Sequence, residues 1–266
     1  MPSRRHQALA ALLPVLRQSR ELDSVDAERA RLEAWHDRLT PRLPTSAVPG
    51  LARRWSVVTE DLGFPSYVLT PRGRQVRRTL YYVHGGGFVA PIDAFHVRYA
   101  TRLATRLDAR VVMPDYPLTP GHTWKDSHDT LVEHAARWAA EPGGIVLAGD
   151  SAGGNIALAM AVSMRDRGLP APSSLVLHAP WVDLTEAHGR TEEFAARDTW
   201  LFPGKLRAYA AWWGGDDLAR PEVSPGLAPL DGLPRTLMLW GTRDLLAPGC
   251  QALVERAAAA DWDLTA

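Results

Sequence analysis

Cysteine occurs once in the 266 residues, at Cys250, so no internal disulfide can form and no Cys/His cluster offers a metal site. A reducing compartment, the cytoplasm, is the expectation. Asparagine also occurs once, as Asn155 before Ile156 and Ala157, which leaves no N-glycosylation sequon. Charge of one sign is missing too: 30 Lys+Arg balance 30 Asp+Glu. No overall field therefore draws in nucleic acid or an anionic membrane, and neither is expected as a partner. Lysine is confined to Lys125 and Lys205; the arginines are interspersed with acids and read as scattered solvated faces. No stretch approaches the ~20 apolar residues that span a bilayer. The run Ala8 to Leu16, after Arg4 and Arg5, mimics a signal peptide, but Pro14 and Arg17 interrupt it and no small-residue cleavage site follows. It reads as an amphipathic surface helix.

What is present is a chain long enough for one sizeable core, 46% hydrophobic, with no linker that would divide it. Residues 5 to 39 read as two helices broken near Asp23-Ser24, ended by Pro41, Pro44 and Pro49-Gly50. Short β-rich runs follow at Trp55 to Thr59, Ser66 to Thr70, Thr79 to His84, Arg110 to Met113, Ile145 to Ala148, Ser174 to His178 and Arg235 to Trp240. Helical stretches alternate with the later ones, at Asp93 to Leu107, Asp126 to Ala139, Ser151 to Arg167 and Pro248 to Ala260. This alternation predicts an α/β fold, a mostly parallel twisted sheet with helices on both faces and chemistry in the loops at the carboxyl ends of the strands. Residues 185 to 225 break the alternation with Trp200, Phe202, Trp212 and Trp213 and no strand. They read as a cap insertion in a core of residues 51 to 266, with residues 1 to 50 contributing N-terminal helices to the cap. Phe202, Trp212 and Trp213 are read equally as pocket lining or as packing.

Gly149-Asp150-Ser151-Ala152-Gly153 fits G-x-S-x-G directly after a strand and before a helix, the context that a nucleophile elbow demands. The serine is forced into strained backbone angles there, and Gly149 and Gly153 remove side chains that would collide. A phosphate loop would need a lysine that the segment lacks. His84-Gly85-Gly86-Gly87-Phe88 closes the third strand; three glycines leave N–H groups free to approach a ligand, as the oxyanion of a tetrahedral acyl intermediate requires. Alone it could be a flexible turn; with the serine elbow about 65 residues later it is specific. Asp244, in Gly241-Thr242-Arg243-Asp244-Leu245-Leu246 after the seventh strand, stands where a triad acid belongs in chain order. Asp183, after the sixth strand, is the reserve acid, with a structural hydrogen-bonding role as the first reading. Cys250 reads as a small thiol without a base, not as a nucleophile.

With these motifs the chain resembles the hormone-sensitive lipase branch of the α/β-hydrolase family, over roughly residues 55 to 266. Asp115-Tyr116-Pro117-Leu118-Thr119-Pro120-Gly121-His122 is similar to that branch's DYRLAPEH segment, with Pro117 and Gly121 in place of Arg and Glu; Val223-Ser224-Pro225 also matches. The resemblance implies Ser151 as nucleophile, Asp244 as acid, and the N–H groups of Gly86, Gly87 and Ala152 as the oxyanion hole, with His84 orienting the loop. It implies no metal or organic cofactor, a small ester of short to medium acyl length as substrate, a cap over the acyl pocket, and a homodimer through a sheet edge.

One part of that machinery is missing. A serine needs a base, which the branch places on a loop after its eighth strand. Here the last histidine is His188, and only 22 residues follow Asp244; they read as a helix and then Asp261 to Ala266 as the opening of an eighth strand. The last strand and helix are therefore expected to be missing, with truncation of a normal esterase as the leading explanation. His188 is the first stand-in; His96, His122, His128, His134 and His178 have blander readings as exposed or packed side chains. A strand lent by another chain is the third explanation, although a swapped copy of this chain could not bring the histidine. Losing a triad member costs ~10⁴–10⁶ in turnover, so the 266-residue form is expected to be an impaired esterase. A non-catalytic binder of a hydrophobic ligand is the alternative.

Overall fold

The computed structural model describes residues 7, 8, 12, 13 and 20–266. The first of the two N-terminal helices, with its signal-like run, therefore falls largely outside the described residues. The second is α1, Val25–His36, whose N-terminus is capped by Ser24 accepting from the Ala27 N–H at 3.1 Å. A four-residue helix α2, Leu51–Arg54, leads into the sheet.

Eight strands form one sheet: β1 Trp55–Asp61, β2 Pro65–Pro71, β3 Arg78–Val83, β4 Ala109–Pro114, β5 Ile145–Asp150, β6 Ser174–His178, β7 Thr236–Leu239 and β8 Leu264–Thr265. Their order is β1-β2-β4-β3-β5-β6-β7-β8. The hairpin of β1 and β2 joins antiparallel, and all pairs from β4 onward are parallel. Asp261 to Ala266 do open an eighth strand: Leu264 and Thr265 pair with Thr236 and Leu237, so the strand expected to be missing is present for two residues.

Helices α3 Ala94–Leu107, α4 His128–Ala140, α5 Ala152–Asp166 and α8 Ala247–Ala259 connect the strands, while α6 Thr191–Ala195 and α7 Pro203–Gly214 lie in the segment read as an insertion. Alternation along β3 divides the core into two layers. Leu80 and Tyr82 pack with Val97, Ala100 and Ala104 of α3, whereas Tyr81 and Val83 pack with α4 and α5. On the α3 side the far end of the sheet is bare: Leu237 and Leu239 are 41% and 48% exposed.

Helix α7 faces α1. Tyr209 donates to Glu28 Oε1 at 2.5 Å, and Glu21 accepts from the Gly204 and Lys205 N–H groups. Trp213 is buried and stacks on Phe88 with centroids 4.5 Å apart, so it is core packing and not pocket lining. Trp212 lies under the Arg29 guanidinium, and Phe202 borders an open surface groove with Glu21 and Leu22. The reading of the arginines as scattered is also corrected, because the hairpin gathers several of them at one end of the sheet.

Candidate active site

Ser151 sits between β5 and α5 with φ 50° and ψ −121°, a conformation that side chains rarely adopt. Its N–H donates to His178 O at 3.0 Å, and its carbonyl accepts from Trp181 N at 3.0 Å and Asn155 N at 3.1 Å. The turn is too tight for side chains on either flank. A Cβ on Gly149 would lie 2.3 Å from Gly153 O, and one on Gly153 would lie 2.2 Å from Val83 O. Asn155, the lone asparagine, donates to Trp181 O at 2.7 Å and Val223 O at 2.8 Å, tying two neighbouring loops to the elbow. The Ser151 side chain thus stands at the positive end of a 15-residue helix.

The triple-glycine loop leaves the adjacent strand β3 and flanks the elbow. Gly86 (φ 114°) and Gly87 (φ 63°) hold left-handed backbone angles, and no acceptor is seen among the described residues for the N–H groups of Gly86, Gly87 or Ala152. Phe88, also at positive φ, is locked by its stack on Trp213. His84 lies fully buried, flat against Tyr116 at 4.4 Å. Its Nδ1–H donates to Gly85 O at 2.8 Å, and Tyr116 donates to His84 O at 3.0 Å. Burial holds the His84 imidazole down to about 3, so at neutral pH it is an uncharged spacer under the loop.

Two residues that motif reading passed over tie the glycine loop to the elbow. Asp150, beside the serine, accepts from Gly85 N at 3.0 Å and from the Tyr82 hydroxyl at 2.5 Å. A Cβ on Gly85 would fall 2.3 Å from Asp150 Oδ2, so the first glycine makes room for this carboxylate. His96, in the first turn of α3, lies with Nε2 3.6 Å from Asp150 Oδ2 and Nδ1 3.0 Å from Asp93 Oδ1. Burial alone would lower the His96 imidazole, but hydrogen bonds and charge from Asp150 and Asp93 outweigh it and raise it to about 9. The cationic ring in turn holds Asp150 below the ordinary carboxylate range against burial. The Asp150 half was open to reading, as a carboxylate beside the serine; His96 was not, because 54 residues separate it from the elbow.

Asp244 occupies the loop after β7. Its Oδ1 accepts from Leu246 N at 2.9 Å, and its carbonyl accepts from Ala247 N. Burial pushes the carboxyl up to about 6, and the neighbouring Asp198 charge adds to that. Asp198 comes from the segment between α6 and α7: Oδ2 accepts from Leu245 N at 2.7 Å while Oδ1 accepts from Trp200 N and Leu201 N. Asp183 accepts from Thr185 N, Thr185 Oγ1 and Ala187 N, the bonding of a turn. Cys250 is buried 3.5 Å from Pro180 O, and burial raises its thiol far above the usual range. Pro180 in turn abuts Gly154, so the Asp244 loop and the elbow meet across the loop after β6.

Residues 80–266 match the family described as alpha/beta hydrolase fold. The chain belongs to the α/β-hydrolase family. An esterase of Acinetobacter venetianus is 30% identical over 201 residues, covering 71% of this chain and 66% of that protein. An acetyl-hydrolase of Streptomyces hygroscopicus is 32% identical over 197 residues, covering 72% and 66%. The chain thus spans just under two thirds of the length of these relatives. Among solved structures, an esterase from the bacterial hormone-sensitive lipase family superposes with a TM-score of 0.77 at 25% identity, covering 100% of this chain and 87% of that one.

In this α/β-hydrolase no described histidine ring is hydrogen-bonded to Ser151. His36 meets Val89 O, His128 meets Ser163, and His134 sits between Tyr81 and Glu60. His122 and His178 are exposed. His188 accepts from Arg190 N and borders a cavity of about 10 Å³, room for one water, with Trp181, Leu206, Leu245 and Leu246.

Proposed function

We propose that the site is that of a serine carboxylic ester hydrolase working through an acyl-enzyme, on esters of short to medium acyl length. The observation that carries this reading is the strained Ser151 facing a triple-glycine loop whose N–H groups have no acceptor among the described residues. Ser151 Oγ would add to the ester carbonyl, and the N–H groups of Gly86, Gly87 and Ala152 would hold the resulting oxyanion. Collapse would expel the alcohol, which takes up a proton, and water would then release the acid. Asp244 would orient the base that moves those protons. Helices α1, α6 and α7 would form the cap over the acyl pocket.

Among the described residues no histidine stands hydrogen-bonded between Ser151 and Asp244. Turnover of this polypeptide is therefore set ~10⁴–10⁶ below that of a complete triad, leaving residual catalysis from the oxyanion hole. The test is hydrolysis of p-nitrophenyl butyrate by the folded protein and by Ser151→Ala, each with and without imidazole. The expected result is weak turnover that imidazole raises in the parent protein and not in the alanine variant. Full turnover without imidazole overturns the impairment and makes His188 the residue to replace next. No Ser151-dependent turnover under either condition overturns the esterase reading and leaves a binder of hydrophobic ligands.

A further inference from the structure

The hairpin of β1 and β2 sorts charge by its length. In sequence, Glu60 and Asp61 lie between the arginine pair 53–54 and the arginines at 72, 74, 77 and 78. In the fold, Trp55 pairs with Pro71 and Asp61 with Pro65. The two acids therefore ride to the far end of a seven-residue strand, about 20 Å away, while the arginines stay together. Arg78 opens β3 beside Ala109, at this same end of the sheet. The last two turns of α3 add Arg102 and Arg106. All eight side chains are exposed.

Little opposes this charge. Among the described residues the ion pair at this end is Arg74 with Asp108, at 3.1 Å, and Glu141 stands at the rim below β3. Several guanidinium groups are instead pinned by carbonyls, which fix them without cancelling their charge. Arg54 donates to Pro49 O at 2.9 Å and Gly50 O at 3.2 Å, Arg72 to Ala52 O, and Arg74 to Thr105 O. A zero net charge thus conceals a positive pole at the hairpin corner of this end, by β1 to β4, while the amino ends of β6 to β8 carry the exposed Asp166, Asp231, Asp261 and Asp263.

We propose that this end of the molecule is a peripheral docking surface for a bilayer of anionic phospholipid. A guanidinium fork matches the oxygens of a phosphate headgroup, and the donors here are arginines, not lysines. Among the described residues near this end, Trp55 is buried and the half-buried Trp138 is covered by the Arg110 guanidinium, so no row of open rings is offered for single-stranded bases to stack on. Of the two helices that border it, α2 has four residues and α3 is laid along the sheet by Val97, Ala100 and Ala104, so neither projects to fill a groove of duplex nucleic acid. On the edge strand Val57 is 37% and Val58 61% exposed, on opposite faces of β1, so each offers a single apolar contact to the headgroup boundary and not a continuous patch. Among the described residues no helix is long and apolar enough to cross a membrane, so attachment is at the surface. Docked this way, the Ser151 end faces water. The proposal stands independently of the catalytic reading.

The experiment is co-sedimentation of the full 266-residue protein with vesicles of phosphatidylglycerol and phosphatidylcholine, at low and high salt. Pure phosphatidylcholine vesicles and a 20-base-pair DNA duplex run beside them. Arg53→Gln/Arg77→Gln/Arg106→Gln removes three charges for which no ion pair is seen among the described residues, and Arg29→Gln/Arg38→Gln/Arg197→Gln removes three charges at the other end, two of them paired with Glu33 and Glu193. Binding to anionic vesicles, its loss at high salt, and a fall on the order of a hundredfold in the first triple variant alone are expected, at roughly fivefold per arginine. Absence of binding at low salt overturns the proposal. So does an equal fall in both triple variants, or binding of the duplex with none to vesicles.

Discussion

At the residue scale, a histidine and a carboxylate near the site both make stability fall as pH rises, each in its own window. His96 bridges Asp93 and Asp150, and its imidazole is raised from 6.5 to about 9. Between those values the folded protein keeps a proton that the unfolded chain releases. The contribution is therefore complete below pH 6.5 and is lost as pH rises through 9. Urea midpoints should fall across that window in the parent protein and stay flatter in His96→Gln; an unchanged slope would show that the ring is not a cation. Asp244 acts in the same direction at lower pH. Its carboxyl is raised from 3.8 to about 6, so the folded state binds the proton more tightly, and stability declines as pH climbs from 4 through 6. Asp244→Asn should stabilise the protein at pH 7 by about 1–3 kcal/mol, read by the same midpoints. Asp198→Asn keeps an acceptor for the Leu245 N–H and removes a like charge, so the Asp244 carboxyl, followed by carbon NMR, should titrate lower. No change would place the two carboxylates out of electrostatic reach.

At the element scale, the turn from β5 to α5 works because two backbones pass where a Cβ would be. In Gly153→Ala the new methyl would lie 2.2 Å from Val83 O and 2.4 Å from His84 O, both main-chain atoms that cannot step aside alone. The expected loss is about 3 kcal/mol, measured by denaturant unfolding. A loss under 1 kcal/mol would mean that β3 and α5 can separate at no great cost. The same turn explains what was legible in advance. Runs such as Ile145 to Ala148 and the following G-x-S-x-G announce strand, elbow and helix by local rules, and the structure has those elements there within a residue or two. Partners set by register were not legible. The link from His96 to Asp150 needs α3 laid against β3 and β5, and the arginine pole needs the hairpin closed at Trp55–Pro71. Trp213 was ambiguous for the same reason, since only its stack on Phe88 distinguishes packing from lining.

At the scale of the whole molecule, the segment before the sheet and the segment inserted after β6 are joined by a buried carboxylate. Glu28 of α1 accepts from Arg31 at 2.7 and 2.8 Å and from the Tyr209 hydroxyl of α7, and Lys205 Nζ lies 3.9 Å away. The Arg31 hydrogen bonds, helped by Tyr209 and Lys205, hold the Glu28 carboxyl down to about 2 against burial. With the folded value below the ordinary 4.5, the clamp is complete above pH 4.5 and is lost as pH falls through 2. The sheet helices have no share in this carboxylate, so releasing it should loosen α7 without opening the core. Hydrogen exchange on Glu28→Ala at neutral pH should therefore speed the amides of Pro203–Gly214 by tenfold or more, on the order of a lost buried charge-assisted bond. The amides of Ala152–Asp166, buried under the same cluster, should keep their protection. If both helices speed together, α1 and α7 unfold with the sheet as one unit and could not part from it as a cap. If neither changes, packing of Trp213 and Tyr209 holds α7 in place, and the link to α1 contributes nothing to keeping it closed.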